Sequence, residues 1–226
     1  MSAVQNIVGD SELSPLGKTQ AERLRDRLSA TGEINADVFI SSTLLRAKQT
    51  AEIIAPALGL PIVFDDEVQE RRVGEAQGMH MDEFRAKYKD FDFERNPFRP
   101  VAHGGESWAQ FMVRVGGALE RIIRQHEGKT IVIVCHGGVI DGSFLYFFRL
   151  STLMMPAVAL HTHNTSITHW HKVSFEDRPP EWCLIKYNDD LHRRDIGSPV
   201  RVPWKDISAK PATGADQPTV PLETEE

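Results

Sequence analysis

Apolar residues recur every three or four positions in several stretches of this chain, and short continuous apolar runs lie between those stretches. The recurrence predicts helices from Pro15 to Gly32, around Met81–Tyr88, from Ser107 to Gly128 and after Gly138, and another that carries Ala47, Ala51, Ile54 and Leu58 on one face and stops at Gly59. The continuous runs predict strands at residues 38–40, 62–64 and 131–134, and two more strands around 163–173 and 182–187 flank a turn segment at 175–181. Because strands alternate with helices, we expect an α/β fold: a three-layer sandwich with a mostly parallel sheet, helices on both faces and a C-terminal antiparallel hairpin.

The clearest strand, Ile131–Val134, is apolar on both faces and is therefore predicted to lie in the interior of a parallel sheet. It leads into His136, Gly137 and Gly138, and a helix follows. Ligands of open α/β sheets bind at this carboxyl edge, where glycines let backbone amides approach an anion and a helix N-terminus attracts negative charge. His136 and Gly137 are candidates for anion binding. The alternative is that His136 only ends the strand and the glycines only form a turn.

Two charged side chains also follow predicted strands. Arg46 lies in the first turn of a helix, where the helix dipole disfavours a cation, and this favours a functional reason such as bidentate binding of a phosphate. Glu70 follows the next strand, and a carboxylic acid beside a bound phosphate can protonate a leaving alkoxide. The alternatives are a solvated surface arginine at position 46 and an exposed ion pair between Glu70 and Arg71 or Arg72.

Cys135 suggests a rival site, because a thiolate before a glycine-rich turn can attack a phosphate. The loop of cysteine phosphatases requires Cys-x5-Arg, however, and Asp141 stands six residues after Cys135. A carboxylate there would repel the phosphate. We therefore expect Cys135 to be a small buried strand residue.

Four histidines alternate near the predicted hairpin, at His161, His163, His169 and His171. Paired His-x-His units can bind a metal, but no carboxylate or cysteine stands at a characteristic spacing from them. We expect no metal site here, and we expect the tryptophans of this region to pack the hairpin.

Composition narrows the classes of function. The chain has 226 residues, a net charge of −6 and two cysteines, and no apolar run approaches the ~20 residues that a membrane span needs. We expect one domain over residues 1–196, a disordered tail at residues 197–226, and a soluble cytoplasmic protein with reduced cysteines. The acidic balance argues against nucleic-acid and membrane-surface partners, and it leaves a homo-oligomer open.

Several segments, in this order, resemble the motifs of the histidine phosphatase superfamily, the phosphoglycerate-mutase-like enzymes. They are Leu13-Ser14-Pro15-Leu16-Gly17 with Gln20-Ala21, the segment from Ser41 to Ala51 around Arg46, Glu70, Gly105-Glu106-Ser107-Trp108, Cys135-His136-Gly137-Gly138 and Asn164-Thr165-Ser166-Ile167. Their joint order and spacing carry the resemblance more than any single motif does, and it extends from about Asp10 to His192.

The resemblance implies a phosphatase that acts through a phosphohistidine, without a metal or other cofactor, on a phosphorylated small-molecule substrate. It assigns Arg46 and His136 to the phosphate pocket and the Gly137 amide to the same phosphate. It makes Glu70 the proton donor.

The chain departs from that family in one respect. The family's nucleophilic histidine lies in Arg-His-Gly at the end of a central strand, and no Arg-His-Gly occurs in these 226 residues. Residues 1–9 resemble the loop that follows that motif. Losing a central strand leaves buried backbone groups unpaired, at about 1–3 kcal/mol each, so we expect the strand and the nucleophile upstream of Met1.

Two alternatives remain at this point. One is a non-catalytic relative that binds phosphorylated ligands or a protein partner through the surviving half of the pocket. The other is a phosphoglycerate-type mutase, which needs extra basic residues around a second anionic group of its substrate. Because basic and acidic residues are interspersed through residues 76–105, phosphatase is the favoured reading.

Overall fold

Five α-helices and five strands make up the part of the chain that the structure describes. This computed structural model describes residues 8–91, 95–154, 156, 158, 160–194 and 196. The segment before Val8 and the predicted tail at residues 197–226 lie outside the described residues. Among the described residues, no helix combines the length and the apolar character needed to cross a bilayer.

Two helices cover one face of the central sheet. α1 (Pro15–Thr31) has Ser14 as its N-cap and ends at Gly32, and α2 (Leu45–Leu58) ends at Gly59. Both glycines adopt the left-handed conformation that favours glycine at a helix end, so the predicted start of α1 and the predicted ends of both helices are confirmed. The helices pack against the sheet through the buried residues Leu24, Leu28, Phe39, Ala51 and Ile54.

The central sheet is parallel. Its strands are β1 (Val38–Ser42), β2 (Ile62–Asp65) and β3 (Ile131–Val134), in the spatial order β2-β1-β3. β1 lies in the middle, with Phe39 opposite Val132. Because all three strands run the same way, their carboxyl ends share one edge of the sheet, and this confirms the predicted parallel arrangement.

The other face is covered by α4 (Trp108–Gln125) and α5 (Gly137–Phe147), while the short α3 (Met81–Lys87) lies outside the sheet layers against the loops. α4 begins with a capping box between Ser107 and Gln110, a common device for satisfying the free amides of a first turn. The core on this side contains Ile40, Phe111, Met112, Val115, Ile122, Val139 and Leu145. Helices on both faces confirm the predicted three-layer sandwich.

The prediction that β3 lies inside the sheet is wrong for the described part of the chain. β3 pairs with β1 on one side, no described strand pairs with its other side, and all four of its residues are only half-buried. Its two-faced apolar character has a different cause. Ile131 and Ile133 pack toward α4 and α5, whereas Val132 and Val134 pack toward α1 and α2. β3 thus has the apolar sequence of an interior strand but lies at the edge of the sheet that the described strands form.

The C-terminal hairpin consists of β4 (Ile167–Val173) and β5 (Glu181–Asp189), which pair antiparallel as predicted. The first strand begins later than the predicted residue 163, because Thr165 has a φ of +60°, outside the range of an extended strand. His161 and His163 therefore precede β4 and do not share its alternation.

The hairpin packs against the end of α5 and against the apolar cluster on the α1 and α2 side of the sheet. Trp170 of β4 packs against the rings of Phe144 and Phe147 of α5 and of its C-cap residue Phe148, with ring centroids between 4.6 and 5.5 Å apart. Ile167 joins the apolar cluster on the α1 and α2 side of the sheet. β4 therefore contacts both layers that flank β3, yet among the described strands it pairs only with β5.

Candidate active site

The carboxyl edge of the parallel sheet brings together the sequence-predicted site residues. Arg46 follows β1, His136 follows β3, and Glu70 follows β2 and the short 3-10 helix Asp66–Val68. The charge of Arg46 acts on His136, and Glu70 accepts a hydrogen bond from the Gly138 amide. Neighbouring parallel strands that end at one edge produce this convergence, and ligands of open α/β sheets bind at that edge.

The imidazole of His136 is buried, with only 7% of the residue exposed. Its Nε2 lies 2.8 Å from the hydroxyl oxygen of Ser42, the last residue of β1. Burial, together with the positive charges of Arg46 and Arg114, lowers the pKa of His136 to about 3. The ring is therefore neutral near pH 7, and it can bind an anion only by donating a ring N–H.

The guanidinium of Arg46 is half-buried and is held from one side. Its Nη1 donates to the Gly9 carbonyl at 2.9 Å and lies 3.4 Å from the Asp10 carboxylate. The same carboxylate accepts a hydrogen bond from the Leu45 amide at 2.9 Å, because the N-cap residue Leu44 offers no side-chain oxygen to α2. This helix end already binds an anionic group, as free amides and a cation together should.

Glu70 holds the start of α5. Its Oε2 accepts the Gly138 amide at 3.0 Å, and its Oε1 accepts the Arg71 amide at 2.9 Å. A Cβ on Gly138 would lie 2.4 Å from the Glu70 carboxylate, whereas a Cβ on Gly137 would meet nothing within 4 Å. Gly138 is thus a packing glycine and Gly137 faces open space. Arg72 pairs with acidic residues of the preceding 3-10 helix.

Sequence reasoning missed Arg114, which holds the Glu70 loop in place. Its guanidinium donates to the carbonyls of Glu67 at 2.6 Å, Gln69 at 3.1 Å and Glu70 at 3.3 Å. It also forms a bidentate pair with Glu106, both hydrogen bonds being 2.7 Å long. The available signal was an arginine placed beside the apolar face of a long helix, where a guanidinium needs a partner.

Two ionisable groups next to the site, the Cys135 thiol and the Asp141 carboxyl, have pKa values above their ordinary ones. Burial above all, together with the Glu70 charge, raises the pKa of the Cys135 thiol to about 12, so the thiol stays protonated and cannot act as a nucleophile. Burial and the Glu70 charge also raise the pKa of Asp141 to about 6. The prediction that Cys135 is a small buried strand residue is wrong in its placement, because β3 ends at Val134 and Cys135, one residue later, is half-buried.

The histidines outside the site make other contacts. His163 lies 2.8 Å from the Asp190 carboxylate, and the rings of His169 and His171 lie 6.3 Å apart on an exposed face of β4. Within the described ranges, no three or more histidine, cysteine, aspartate or glutamate side chains are grouped so as to hold a metal ion.

Comparison with known families gives one match that covers most of the chain. The model of the histidine phosphatase superfamily (branch 1) matches residues 2–188.

Individual relatives agree with this match. A metal-independent phosphoserine phosphatase of Arabidopsis thaliana is 30% identical over 193 residues, which span 83% of this chain and 75% of that protein. A phosphoglycerate mutase-like protein 4 of the same plant is 39% identical over 136 residues, 58% of each chain. The solved mycobacterial glucosyl-3-phosphoglycerate phosphatase in complex with inorganic phosphate is 26% identical and superimposes with a TM-score of 0.66 over 84% of this chain and 93% of that one.

Proposed function

The chain belongs to branch 1 of the histidine phosphatase superfamily, and on that premise we propose that it is a phosphatase of phosphorylated small molecules that acts through a phosphohistidine. The observation that carries the proposal is the meeting of Arg46, His136 and Glu70 beside the open space at Gly137. A guanidinium, a neutral imidazole and a backbone amide are donors suited to phosphate oxygens, and a carboxyl group lies next to them.

The proposed roles follow from the charge of each group. Arg46, the His136 ring N–H and the Gly137 amide hold the phosphate and stabilise its charge as the phosphoryl group transfers. A nucleophilic histidine nitrogen forms a bond to phosphorus while the bond to the leaving oxygen breaks, and Glu70 gives its proton to that oxygen. Water then attacks phosphorus and gives one proton back to Glu70, while the bond between phosphorus and the histidine nitrogen breaks, so that inorganic phosphate and the free imidazole are released.

We propose that the nucleophile lies upstream of Met1, on a strand between β3 and β4. The support is an apolar strand with an unpaired edge, together with a hairpin that packs on both neighbouring layers but pairs only with itself among the described strands. A strand inserted there would end at the same carboxyl edge as β1 and β3.

Phosphatase is the better proposal than mutase. Two of the three relatives described above are named as phosphatases. The positive charges of Arg46 and Arg114 act on the pKa of His136, and the Glu70 charge acts on Arg71. Arg114 already binds Glu106 and backbone carbonyl groups. Little therefore supports a second basic site that would hold another anionic group of the substrate. We further propose a cytoplasmic location, which the two unpaired cysteines support.

A non-catalytic phosphate-binding protein is the second candidate, because the 226 residues contain no Arg-His-Gly. The two candidates differ in turnover. Hydrolysis of p-nitrophenyl phosphate is measured for this chain and for the protein translated from the in-frame codons upstream. We expect turnover from the longer protein only, whereas binding without turnover in both would support the second candidate.

Phosphate binding itself tests the pocket. Titration calorimetry with inorganic phosphate is expected to show that Arg46→Ala weakens binding about tenfold or more, the loss of one charge-assisted contact. Lys48→Ala, an exposed cation two residues later on α2, is the matched control and should change the affinity less than about twofold. Equal weakening by both variants would show that only net charge matters and would remove Arg46 from the pocket.

A further inference from the structure

We propose that Ser42 is a positioning residue that places the single ring proton of His136 on Nδ1. Ser42 ends β1 and His136 follows β3, so the hydroxyl and the ring meet between two adjacent strands. The expected consequence, that this N–H binds a phosphate oxygen, rests on the proposed function. The proton assignment does not need the proposed function.

The hydrogen bonds of the Ser42 hydroxyl decide the assignment. Its oxygen accepts the Leu44 amide at 3.2 Å and lies 2.8 Å from His136 Nε2. Ser42 is fully buried, and in the described part of the chain its own proton has no other acceptor within hydrogen-bond distance. A buried donor left without an acceptor is costly. The hydroxyl therefore donates to Nε2, and Nε2 carries no proton.

The neutral form of the imidazole completes the assignment. A neutral ring has one N–H, so when Nε2 is an acceptor the proton must be on Nδ1. Burial and the charges of Arg46 and Arg114 lower the pKa of His136 to about 3, which keeps the ring neutral at pH 7. Among the described residues, Nδ1 has no hydrogen-bond partner. The Nδ1–H is therefore the ring donor that can hydrogen-bond to a phosphate oxygen.

Ser41 provides a matched control inside the same strand. It is as fully buried as Ser42, and its hydroxyl donates to the Ser42 carbonyl at 3.0 Å rather than to the imidazole. Removing the Ser41 hydroxyl therefore perturbs the same turn without touching His136. Ser42→Thr is the conservative variant, because it keeps a hydroxyl at the same position.

Long-range ¹H–¹⁵N correlation spectra at pH 7 measure the tautomer directly. In the unaltered protein we expect His136 to carry its proton on Nδ1. Ser41→Ala and Ser42→Thr should keep that tautomer, and Ser42→Ala should populate the Nε2–H form. A proton on Nε2 in the unaltered protein would overturn the proposal, and this readout holds even if Ser42→Ala fails to fold.

The affinity for inorganic phosphate measures the consequence. Ser42→Ala should weaken binding about fivefold or more, while Ser42→Thr and Ser41→Ala should stay within about twofold of the unaltered protein. If the proton is on Nδ1 but the protein binds no phosphate, the proposed function fails and the positioning role stands. If phosphate binds normally to a protein with the proton on Nε2, the positioning role fails and the proposed function stands.

Discussion

At the scale of single residues, the site requires His136 to stay uncharged between two guanidinium groups. The buried imidazole has a pKa near 3, below the value of 6.5 that it has when exposed. Between these two pH values the unfolded chain binds a proton that the folded chain does not. The stability of the folded state therefore falls as the pH drops below about 6.5.

Replacing this histidine should remove that part of the pH dependence. His136→Gln retains a polar side chain but does not titrate. We expect its unfolding free energy to fall less steeply between pH 7 and pH 5, by up to about 1.4 kcal/mol per pH unit, the contribution of one proton. Urea unfolding at several pH values measures both slopes, and identical slopes would show that the imidazole titrates alike in the folded and unfolded states.

Gly137 and Gly138, at the start of α5, should respond differently to substitution by alanine. In Gly138→Ala the new methyl would lie 2.4 Å from the Glu70 carboxylate and 2.7 Å from the Phe111 ring, so we expect a loss of about 1–3 kcal/mol in unfolding free energy. Gly137→Ala meets open space and should cost less than about 1 kcal/mol. Thermal unfolding of both variants checks this order, and equal losses would contradict the different roles of the two glycines.

At the scale of elements, Arg114 of α4 holds the loop that carries Glu70 in place through hydrogen bonds to its carbonyl groups. Arg114 and Glu106 are nearly buried, with 6% and 13% of their side chains exposed. Although burial opposes it, the Arg114 guanidinium holds the pKa of Glu106 below its ordinary value. Glu106 therefore stabilises the fold above its unfolded pKa, and this contribution is lost as the pH falls through the folded pKa.

Two arginines of α4 should respond very differently to removal of their charge. Arg114→Met leaves Glu106 buried without its partner, which we expect to cost about 3–5 kcal/mol. Arg121→Met breaks an ion pair with Asp65 in which the arginine is 42% exposed, and the expected cost is below about 1 kcal/mol. Denaturant unfolding separates the two values. Equal costs would mean that the Arg114 pair contributes no more than a surface pair.

The ends of a helix could be predicted where capping residues mark them in the sequence. Contacts between distant parts of the chain could not be predicted. Ser14 and Gly32 mark the ends of α1 through capping chemistry that is local in sequence. Arg114 reaches carbonyl groups about 45 positions earlier in the chain, and no periodicity encodes such a contact. The late start of β4 was missed because the positive φ of Thr165 is unusual for a β-branched residue.

At the scale of the whole molecule, the candidate site lies at the carboxyl edge of the parallel sheet that β1, β2 and β3 form. The sequence motifs around Arg46, Glu70 and His136 predicted which residues would meet, because parallel strands deliver their ends to one edge. The apolar pattern of β3 could not reveal its open edge, since two covering helix layers and an interior position produce the same pattern. Among the described strands, β3 and β4 each have one edge without a pairing partner, and the proposed strand that carries the nucleophile would pair there.

The most direct test of that proposal is to identify the phosphorylated residue. The protein translated from the upstream in-frame codons is mixed with p-nitrophenyl phosphate, quenched within one turnover at alkaline pH, where phosphohistidine survives, and mapped by mass spectrometry. We expect a phosphohistidine in an Arg-His-Gly segment upstream of Met1, absent from the 226-residue chain and formed much more slowly in Arg46→Ala. A phosphoryl group on His136, or turnover by the 226-residue chain alone, would contradict this expectation.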